Sequence, residues 1–261
     1  MKIIVCMKQV PSREASLRIN PEETWIKEED IALETNESDV YALEAALQLK
    51  EKLGGEVVVC TLGPASAQTL LREALAKGAE RALHLNDPAF RRLDAFGTAR
   101  VLAEVLKKEA FDLVLTGLQS DDQGFAQTGV ILAELLNLPH TTLVMGLEPL
   151  EGGSQMKIKR ELESGWFQWL EVPLPAVLSI QSGINQPRYA SLKGIMGVKK
   201  KEMKVIDLAA TGLSTDDLKP KQRIQKIYAP QKTKQTEFLQ GSAKEVAEKL
   251  VAKLKNDARV I

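Results

Sequence analysis

Residues 116–129, TGLQSDDQGFAQTG, are the part of the chain best suited to bind a nucleotide. The stretch has three glycines and several acidic and amide side chains, but it has no lysine or arginine. Backbone N–H groups at a glycine-rich turn and at the start of a helix can hold phosphates without a cation. The stretch could equally be a polar turn that binds nothing, and the residues alone leave both interpretations open.

Different residues of this stretch would have different roles in binding a nucleotide. Gly117 would let the backbone approach the ligand closely. Asp122 would bind a ribose hydroxyl or hold the loop in shape. Amide and hydroxyl donors at the predicted helix start would come from Gln127, Thr128 and Gly129. No GxGxxG motif follows a strand and no GxxxxGK[ST] motif occurs, so neither a Rossmann fingerprint nor a P-loop is predicted.

The other residue types that commonly do chemistry are few and scattered. Cys6 and Cys60 belong to no CxxC or Cys/His cluster, which argues against zinc and iron–sulfur sites and fits a reducing cytosol. His84 and His140 have no partner pattern, so we expect structural roles for both. There is no GxSxG nucleophile elbow. An aromatic cluster, which we expect to pack in the core or on a sheet face rather than against a cofactor, consists of Trp166, Phe167 and Trp169.

Apolar runs in the first half of the chain predict strands that are buried on both faces. These runs are Lys2–Met7, Glu56–Leu62, Arg81–Leu85 and Phe111–Thr116. Helices are predicted between and after them, the first beginning at Asn36, which can cap it. This alternation predicts an α/β fold with a mainly parallel, doubly wound sheet. Ligands bind such sheets at the carboxyl ends of the strands. The residues that this places on one rim include Cys6, Met7, Lys8, Cys60, Thr61 and Gly117.

After Thr141 the pattern changes to short strands without full helices between them. Gly152-Gly153 predicts a hairpin turn. The short strands predict an antiparallel extension of the same sheet. Beyond Pro187 the chain is polar, and we expect it to be extended as far as Ser242. The predicted short strands are Met156–Lys159, Phe167–Leu170 and Ala176–Ile180.

The C-terminal part of the chain predicts an extended arm that ends in a helix. Ser242 and Glu245 form a capping box at the start of that helix. Its apolar stripe needs a surface to bury against, and such an arm often finds one on another subunit. The chain is rich in lysine from Val198 onward, which fits either a solvated tail or an arm that docks on a partner. The stripe consists of Val246, Leu250, Val251 and Leu254.

The composition argues against several classes of protein. The 35 lysines and arginines equal the 35 aspartates and glutamates, so no overall charge attracts nucleic acid. No run reaches the roughly 18 apolar residues of a membrane-spanning helix. The apolar run at the N-terminus is too short for a signal peptide. We therefore expect a soluble, cytoplasmic protein.

Three stretches together resemble the beta subunit of electron transfer flavoproteins. In the loop at 116–129, the letters GLQ, Asp122 and the letters QTG match that family's adenine-nucleotide loop. Residues 158–179 follow the family's beta-subunit signature, with Ser164 where an acidic residue or glycine is usual. NQPRYASLKGIM, at 185–196, is similar to the family's NEPRYxxLxxIM recognition loop. The pattern is also matched by Asn36 and Asp39.

The resemblance implies an electron carrier subunit without acid–base chemistry of its own. Such subunits pair with an alpha subunit that holds most of the electron-transferring FAD. Residues 1–190 would be the α/β adenine-nucleotide-binding domain, and residues 191–261 the recognition loop and an arm that wraps on the partner. Contact with a membrane would be only indirect, through a quinone oxidoreductase, and nucleic acid is not an expected partner. The residues that would dock on flavin dehydrogenases such as acyl-CoA dehydrogenases are Leu192, Ile195 and Met196.

The resemblance also implies a nucleotide in this subunit, either AMP or, in electron-bifurcating members, a second FAD used with NADH. AMP-holding members tend to have DDDCNQT in the loop and bifurcating members DGDTAQV, whereas this chain has DDQGFAQT. Phe125 would fill space, which favours the smaller AMP. Arg13 and Ser38 stand where the family often has aromatic residues near the partner's flavin. The residues assigned to the nucleotide are Cys6, Met7, Lys8, Asn36, Cys60, Thr61, Gly117, Asp122, Phe125, Ala126, Gln127, Thr128 and Gly129.

A protein of another class is the alternative to this interpretation. A stand-alone adenine-nucleotide enzyme or sensor would share the same α/β layout. It predicts a stable monomer that hydrolyses or senses ATP. It gives no purpose to the lysine-rich arm or to the loop around Leu192.

Overall fold

The fold is that of a computed structural model, which describes residues 1–29, 31–230 and 236–261. In chain order the strands are β1 (Lys2–Cys6), β2 (Gln9–Pro11), β3 (Leu33–Thr35), β4 (Glu56–Leu62), β5 (Arg81–Leu85), β6 (Leu113–Gly117), β7 (His140–Pro149), β8 (Gln155–Glu161), β9 (Phe167–Pro173), β10 (Ala176–Ile180) and β11 (Met203–Ile206). The α-helices are α1 (Glu37–Leu53), α2 (Gln68–Lys77), α3 (Ala95–Leu106), α4 (Thr128–Leu136), α5 (Leu192–Gly197), α6 (Leu208–Thr211) and α7 (Ala243–Asn256). The described chain forms two compact units, Met1–Arg18 with Ile26–Gln225, and Ile19–Trp25 with Lys226–Ile261.

The large sheet of the first unit has nine strands in the order β11-β5-β4-β1-β6-β10-β7-β8-β9. The strands from β11 to β7 are parallel to their neighbours. β1 pairs with β4 on one side and with β6 on the other, so the strand order reverses between β1 and β6. A crevice opens at the carboxyl ends of the strands at such a reversal. The predicted α/β fold with a mainly parallel sheet is confirmed.

Apolar side chains cover both faces of the parallel strands. In β1, Ile3 and Val5 lie in one buried cluster that includes residues of α1 and α2. Ile4, between them, lies in a second buried cluster that includes residues of α3 and α4. Successive side chains of a strand point to opposite faces, so a strand covered on both sides must be apolar throughout. This explains the continuous apolar runs of the first half of the chain.

The antiparallel extension consists of β8 and β9, which follow β7 at one edge of the sheet. The predicted hairpin is confirmed, since Gly152 and Gly153 lie between β7 and β8 and both have positive φ. The expectation that Ala176–Ile180 belongs to this extension is wrong. That segment is β10, a parallel strand between β6 and β7. All of its residues are buried, as a central parallel strand requires.

Residues 192–218 are not extended, contrary to expectation, and the part of that expectation that falls on residues 231–235 lies outside the described residues. From residue 192 the chain forms α5 and then β11, which pairs in parallel with β5 at the other edge of the sheet. Ile206 of β11 is buried in the same cluster as Leu85 of β5. The lysines around this strand hide it from pattern analysis, because an edge strand needs few apolar residues to pair.

Two predicted helix starts differ in their capping. α7 begins with the predicted capping box, in which the N–H of Ser242 donates to Glu245 Oε2 at 2.7 Å. α1 begins after Asn36, but the predicted cap is wrong, because the Asn36 side chain makes no capping hydrogen bond. It bonds to the loop after β6 instead.

The second unit contains α7. In this unit the backbone N–H of Ile227 donates to the carbonyl of Glu23 at 2.7 Å, and Lys226 pairs with the same glutamate. α7 has no buried residue in the described structure, and Leu250 and Val251 of its apolar stripe are exposed. Across the described residues, no helix combines the length and the apolar character needed to cross a membrane.

Candidate functional site

The loop that follows β6 leaves the sheet where the strand order reverses. β1 and β6 are neighbours at this point, with Cys6 opposite Thr116. The loop runs from Gly117 to the start of α4 at Thr128. The first residues of α1 contact the same loop through polar side chains. Two helix starts and two strand ends therefore meet at one edge of the sheet.

Asp39 of α1 joins the ends of β1 and β6. Its Oδ2 accepts a hydrogen bond from the backbone N–H of Lys8 at 2.7 Å, and its Oδ1 accepts one from Gly117 at 2.9 Å. The carboxyl group therefore satisfies two backbone donors at the ends of neighbouring strands. Burial raises the pKa of Asp39 to about 7, although the hydrogen bonds from Lys8, Asn36 and Gly117 act in the opposite direction.

The loop backbone is held by the residues that precede and begin α1. Asn36 Nδ2 donates to the carbonyl of Gln119 at 2.9 Å, and Asn36 Oδ1 accepts from the N–H of Asp121 at 2.8 Å. Ser38 Oγ donates to the same Gln119 carbonyl at 2.9 Å. Asn36 and Ser38 are both buried. Side-chain hydrogen bonds therefore fix the loop where regular secondary structure ends.

Lys8 brings a cation to a loop that has none of its own. Its Nζ lies 2.7 Å and 2.8 Å from the two oxygens of Asp122. Of the two roles predicted for Asp122, this contact supports the one in which it holds the loop in shape. The pair has no net charge, so it adds neither attraction nor repulsion for a nearby phosphate at longer range.

The first turn of α4 offers backbone N–H groups to an anion. Gln127 precedes the helix, and in the described structure its side chain makes no capping hydrogen bond. The first N–H groups of a helix have no acceptor within the helix, and the helix dipole favours negative charge there. The hydroxyl of Thr128 is a further donor. This donor set fits a phosphate group and needs no cation.

Gly129 sets how closely α4 approaches the sheet. A Cβ at this position would lie 2.6 Å from Ser179 Oγ and 2.7 Å from Thr116 Oγ1. These two hydroxyls are buried and lie 3.1 Å apart. Only glycine lets the helix begin against the ends of β6 and β10. Gly129 thus has a packing role in addition to the donor role predicted for it.

We expect Gly129→Ala to lower the free energy of unfolding by about 2 kcal/mol, because the new methyl group must separate two buried hydroxyls that bond each other. Urea unfolding measures this. Adding Ser179→Ala should recover part of the loss, since it removes one of the colliding oxygens. Gly197→Ala is the control, because its Cβ would meet open space in the described chain. Equal stabilities for the Gly129 and Gly197 variants would contradict the prediction.

Phe125 and Ala126 lie on the outer part of the loop. Phe125 is 45% exposed, so its ring is not enclosed in the described structure. Ala126 has a φ of 54°, a conformation that favours glycine, and Gly124 has a φ of 64°. The chain therefore turns sharply before it enters α4.

The remaining predicted rim residues support the site from the core. Cys6 and Cys60 are buried neighbours in β1 and β4. The hydrogen bond with Cys6, together with burial, raises the pKa of the Cys60 thiol, so this thiol is a poor nucleophile. Met7 is also buried, and its carbonyl accepts a hydrogen bond from Thr61 Oγ1 at 2.7 Å. These residues hold the strand ends together.

A second candidate surface lies on α5. Leu192 is 81% exposed, Met196 is 78% exposed and Ile195 is 54% exposed. The Ser191 Oγ accepts a hydrogen bond from the N–H of Gly194 at 3.0 Å and so caps the helix. We call Leu192, Ile195 and Met196 the docking patch. Adjacent exposed apolar side chains of this kind are typical of an interaction surface.

Comparison with known proteins identifies the family. Residues 24–211 match the family model described as "Electron transfer flavoprotein domain". A protein of Methylophilus methylotrophus named electron transfer flavoprotein subunit beta is 41% identical over 256 residues, which cover 96% of this chain and 97% of that protein. The chain belongs to the electron transfer flavoprotein beta subunit family. Proteins of the same name from Bacillus subtilis and Homo sapiens are 35% and 36% identical over 100% of this chain.

The two histidines of this family member lie in β5 and at the start of β7. His84 is fully buried in β5, and its Nε2 lies 3.1 Å from the carbonyl oxygen of Gly63. Burial, together with the charge of Arg160, lowers the pKa of His140. Among the described residues, no cluster of three or more His, Cys, Asp or Glu could hold a metal ion. The structural role expected for His84 fits these contacts.

The aromatic cluster lies on β9 and just before it, at the edge of the sheet. Lys159 Nζ lies 3.8 Å from the ring centroid of Phe167, and Lys157 Nζ lies 4.8 Å from that of Trp169. Both rings therefore lie on a sheet face beside cations, in agreement with one of the two packing arrangements expected. Trp166 is 72% exposed and is not a core residue.

Residues outside the predicted set also build the site. Ser38 bonds the loop, Asp39 bonds the strand ends, and Asp121 of the loop accepts a hydrogen bond from the N–H of Glu37 in α1. None of the three was assigned to the nucleotide. The sequence NESD at 36–39 was the feature that could have indicated them. Polar residues at a helix start beside the carboxyl ends of the strands need hydrogen-bond partners once they are buried.

Proposed function

We propose that this chain is the beta subunit of a heterodimeric electron transfer flavoprotein. In this role it accepts electrons from flavin dehydrogenases, such as acyl-CoA dehydrogenases, and passes them on through an FAD held mainly by an alpha subunit. The observation that carries the proposal is the similarity, along almost the whole chain, to proteins named as beta subunits of electron transfer flavoproteins. The cytoplasm stays the predicted location.

The nucleotide proposed for this subunit is AMP, at the loop between β6 and α4. Its phosphate would accept hydrogen bonds from the first turn of α4, with Gln127 and Thr128 adding donors. Asn36 and Asp39 would act on the loop rather than on the ligand, because their polar atoms already bond its backbone. The loop itself has no lysine or arginine, and Lys8, which contacts it, is paired with Asp122. This suits a structural nucleotide, since no leaving phosphate needs to be activated.

The redox chemistry belongs to the flavin, which supplies reversible electron transfer when it is bound. This chain would contribute position and recognition. The loop fixed by α1 would hold the nucleotide, the docking patch would contact the donor, and the arm ending in α7 would wrap on the alpha subunit. The exposed apolar residues of α7 support the last of these roles, since an amphipathic helix is stabilised by burying that face.

A second FAD, used with NADH in an electron-bifurcating version, is the alternative ligand of the same loop. The size argument for AMP rested on Phe125 filling space. The exposure of this ring gives that argument no support from packing. The letters QT at 127–128, shared with AMP-holding members, still favour AMP, whereas the letters AQ at 126–127 are shared with bifurcating members.

The released nucleotides distinguish the two ligands. The heterodimer, produced by co-expressing this chain with its alpha partner, is denatured, and the nucleotides are separated by chromatography. We expect one FAD and one AMP per heterodimer. Two FAD and no AMP would contradict the AMP proposal and favour bifurcation. A heterodimer that releases one FAD and no second nucleotide would contradict a nucleotide in this loop.

The stand-alone enzyme or sensor makes the opposite prediction about assembly. If our proposal is correct, the chain co-purifies with the alpha subunit and does not hydrolyse ATP. A chain that is monomeric, does not bind the alpha subunit and hydrolyses ATP would contradict the proposal. The chain purified alone can be used to measure both its binding to the alpha subunit and its hydrolysis of ATP.

A further inference from the structure

We propose that Arg188 is a positioning residue for donor recognition, because it fastens the segment that carries the docking patch to α1. The inference rests on the proposed function, in which the patch contacts the donor. It concerns residues that do not themselves contact the donor in that proposal. Arg188 lies four residues before Leu192 in the chain.

The Arg188 guanidinium bridges two carboxylates of α1. Its Nε donates to Glu44 Oε2 at 2.8 Å, and its Nη2 donates to Glu44 Oε1 at 3.0 Å. The same group pairs with Glu51, through Nη1 to Oε1 and through Nη2 to Oε2 at 3.0 Å. The backbone N–H of Arg188 also donates to Glu44 Oε2, at 3.1 Å. Glu44 and Glu51 lie two turns apart on the helix, so the contact fixes both position and direction.

The burial of these groups makes the contact specific. The side chain of Glu44 is only 5% exposed, whereas that of Glu51 is 57% exposed. Burial acts to raise the pKa of Glu44, but the hydrogen bonds from Arg188 outweigh it, so the pKa is lowered and the carboxylate stays charged. A buried carboxylate that loses its partner is costly, so Glu44 holds Arg188 in place. One turn before Glu44, the carbonyl of Tyr41 accepts a further bond from Asn185 Nδ2 at 3.0 Å.

The helix α5 itself is fastened to α2. A Cβ on Gly194 would collide with the carbonyl oxygen of Ala76, so only glycine allows this approach. Lys201 Nζ, just after the helix, donates to the carbonyls of Leu75 and Ala79 at 2.8 Å and 2.6 Å. These carbonyls are at the C-terminal end of α2, which favours a cation. The short helix of the docking patch is therefore held by α2, and the segment that leads into it is held by α1.

Holding the docking patch in place lowers the cost of binding the donor. The segment that leads into this short helix is held to α1 by Arg188 and Asn185. If it moved freely, each binding event would have to order it, and the ordering would weaken binding. The Arg188 contact removes that cost before the donor arrives. It does so without covering Leu192, Ile195 or Met196.

The test compares variants of the heterodimer in electron transfer from an acyl-CoA dehydrogenase reduced by its acyl-CoA. The reduction rate of the heterodimer's flavin is measured by absorbance at increasing heterodimer concentration. We expect Arg188→Gln to raise KM about three- to tenfold, the effect of ordering one or two side chains on binding, and to leave kcat unchanged. Arg188→Lys should recover only part of the loss, because an ammonium cannot bridge two carboxylates as a guanidinium does. Arg91→Gln, at an exposed arginine, should change neither constant.

A double variant separates this inference from the proposed function. Leu192→Ala should raise KM by itself, and adding Arg188→Gln should then raise it less than twofold, since Arg188 acts through the patch. Fully additive effects, or an unchanged KM in Arg188→Gln, would overturn the inference while leaving the docking proposal intact. An unchanged KM in Leu192→Ala would instead overturn the docking proposal, and the inference with it.

Hydrogen exchange tests the positioning without a donor. Amide protons of residues 192–197 should exchange about tenfold faster in the Arg188→Gln heterodimer, while those of the parallel strands keep their rates. Glu51→Gln gives a milder version of the same change for the case in which Arg188→Gln does not fold. Equal exchange in this segment for wild type and variants would overturn the inference.

Discussion

Gly117→Ala should lower the free energy of unfolding by about 3 kcal/mol or more, because the site has no room for a methyl group. An added Cβ would collide with Asp39 Oδ1 and Ser38 Oγ and would lie 2.9 Å from the backbone N of Asp39. Relieving the collision moves the start of α1 away from the loop. That movement breaks the hydrogen bond from the N–H of Gly117 to Asp39, which leaves a buried carboxyl group short of a partner.

Urea unfolding of the purified variant measures this loss, with Gly197→Ala as the control. Because Gly197 has negative φ and an added Cβ would meet none of the described residues, alanine there should be neutral or slightly stabilising. We also expect the Gly117 variant to retain less nucleotide after purification, since the same loop would hold it. A Gly117 variant as stable as the Gly197 variant would show that α1 and the loop can separate at little cost.

Much of this architecture follows from the sequence alone. β1, β4, β5 and β6 are continuous apolar runs because they are buried on both faces, and that pattern is visible in the letters. Their shared carboxyl edge then follows from parallel pairing. The position of the loop at 116–129 on the carboxyl rim of the sheet could therefore be expected before any contact was known.

The order of the strands could not be predicted in the same way. β10 has a buried, apolar sequence like the first strands, but it follows antiparallel strands in the chain. Only Leu174 and Pro175 separate it from β9 in the chain, yet it pairs with β6 and β7 and not with β9. The local sequence pattern carries no information about such long-range pairing. The prediction that this strand belongs to the antiparallel extension rested on chain order alone and was wrong.

The hydrogen bonds of the site could not be predicted from sequence patterns either. Asn36 has the residue type and position of a helix cap, and the sequence does not show that the loop 83 residues away competes for its side chain. The pairing of Lys8 with Asp122 also joins distant parts of the chain. Polar side chains choose among several possible partners, and only the fold decides which of these partners is close.

The stability of the protein should fall as the pH rises through about 7, and Asp39 should cause part of that fall. The pKa of Asp39 is raised from its ordinary 3.8 to about 7 in the folded protein by burial. Between these values the folded protein holds a proton that the unfolded chain releases. The contribution is therefore fully present below pH about 4 and is lost as the pH rises through about 7, by up to about 4 kcal/mol.

Asp39→Asn removes this titration. Asparagine can accept only one of the two N–H bonds from Lys8 and Gly117 and places a donor against the other, so the variant should be less stable at low pH. The stability advantage of the wild type should then shrink from pH about 4 to pH about 7 and stay level above that. Urea unfolding of both proteins across this range measures the difference, in which all other titrating groups cancel.

Asp94 is a control with the opposite sign. Burial acts to raise its pKa, but hydrogen bonds from the backbone N–H groups of Gly97, Gln222 and Lys221 outweigh it, and the pKa is lowered. Its contribution is present above the ordinary pKa and is lost as the pH falls through the lowered value, so Asp94→Asn should cost more at neutral than at acid pH. If the difference for Asp39 grew with pH in the same way, its carboxylate would be stabilised by the two N–H groups more than it is destabilised by burial. Asp39 would then hold the strand ends as a charged group, and the site would be most stable above pH 7.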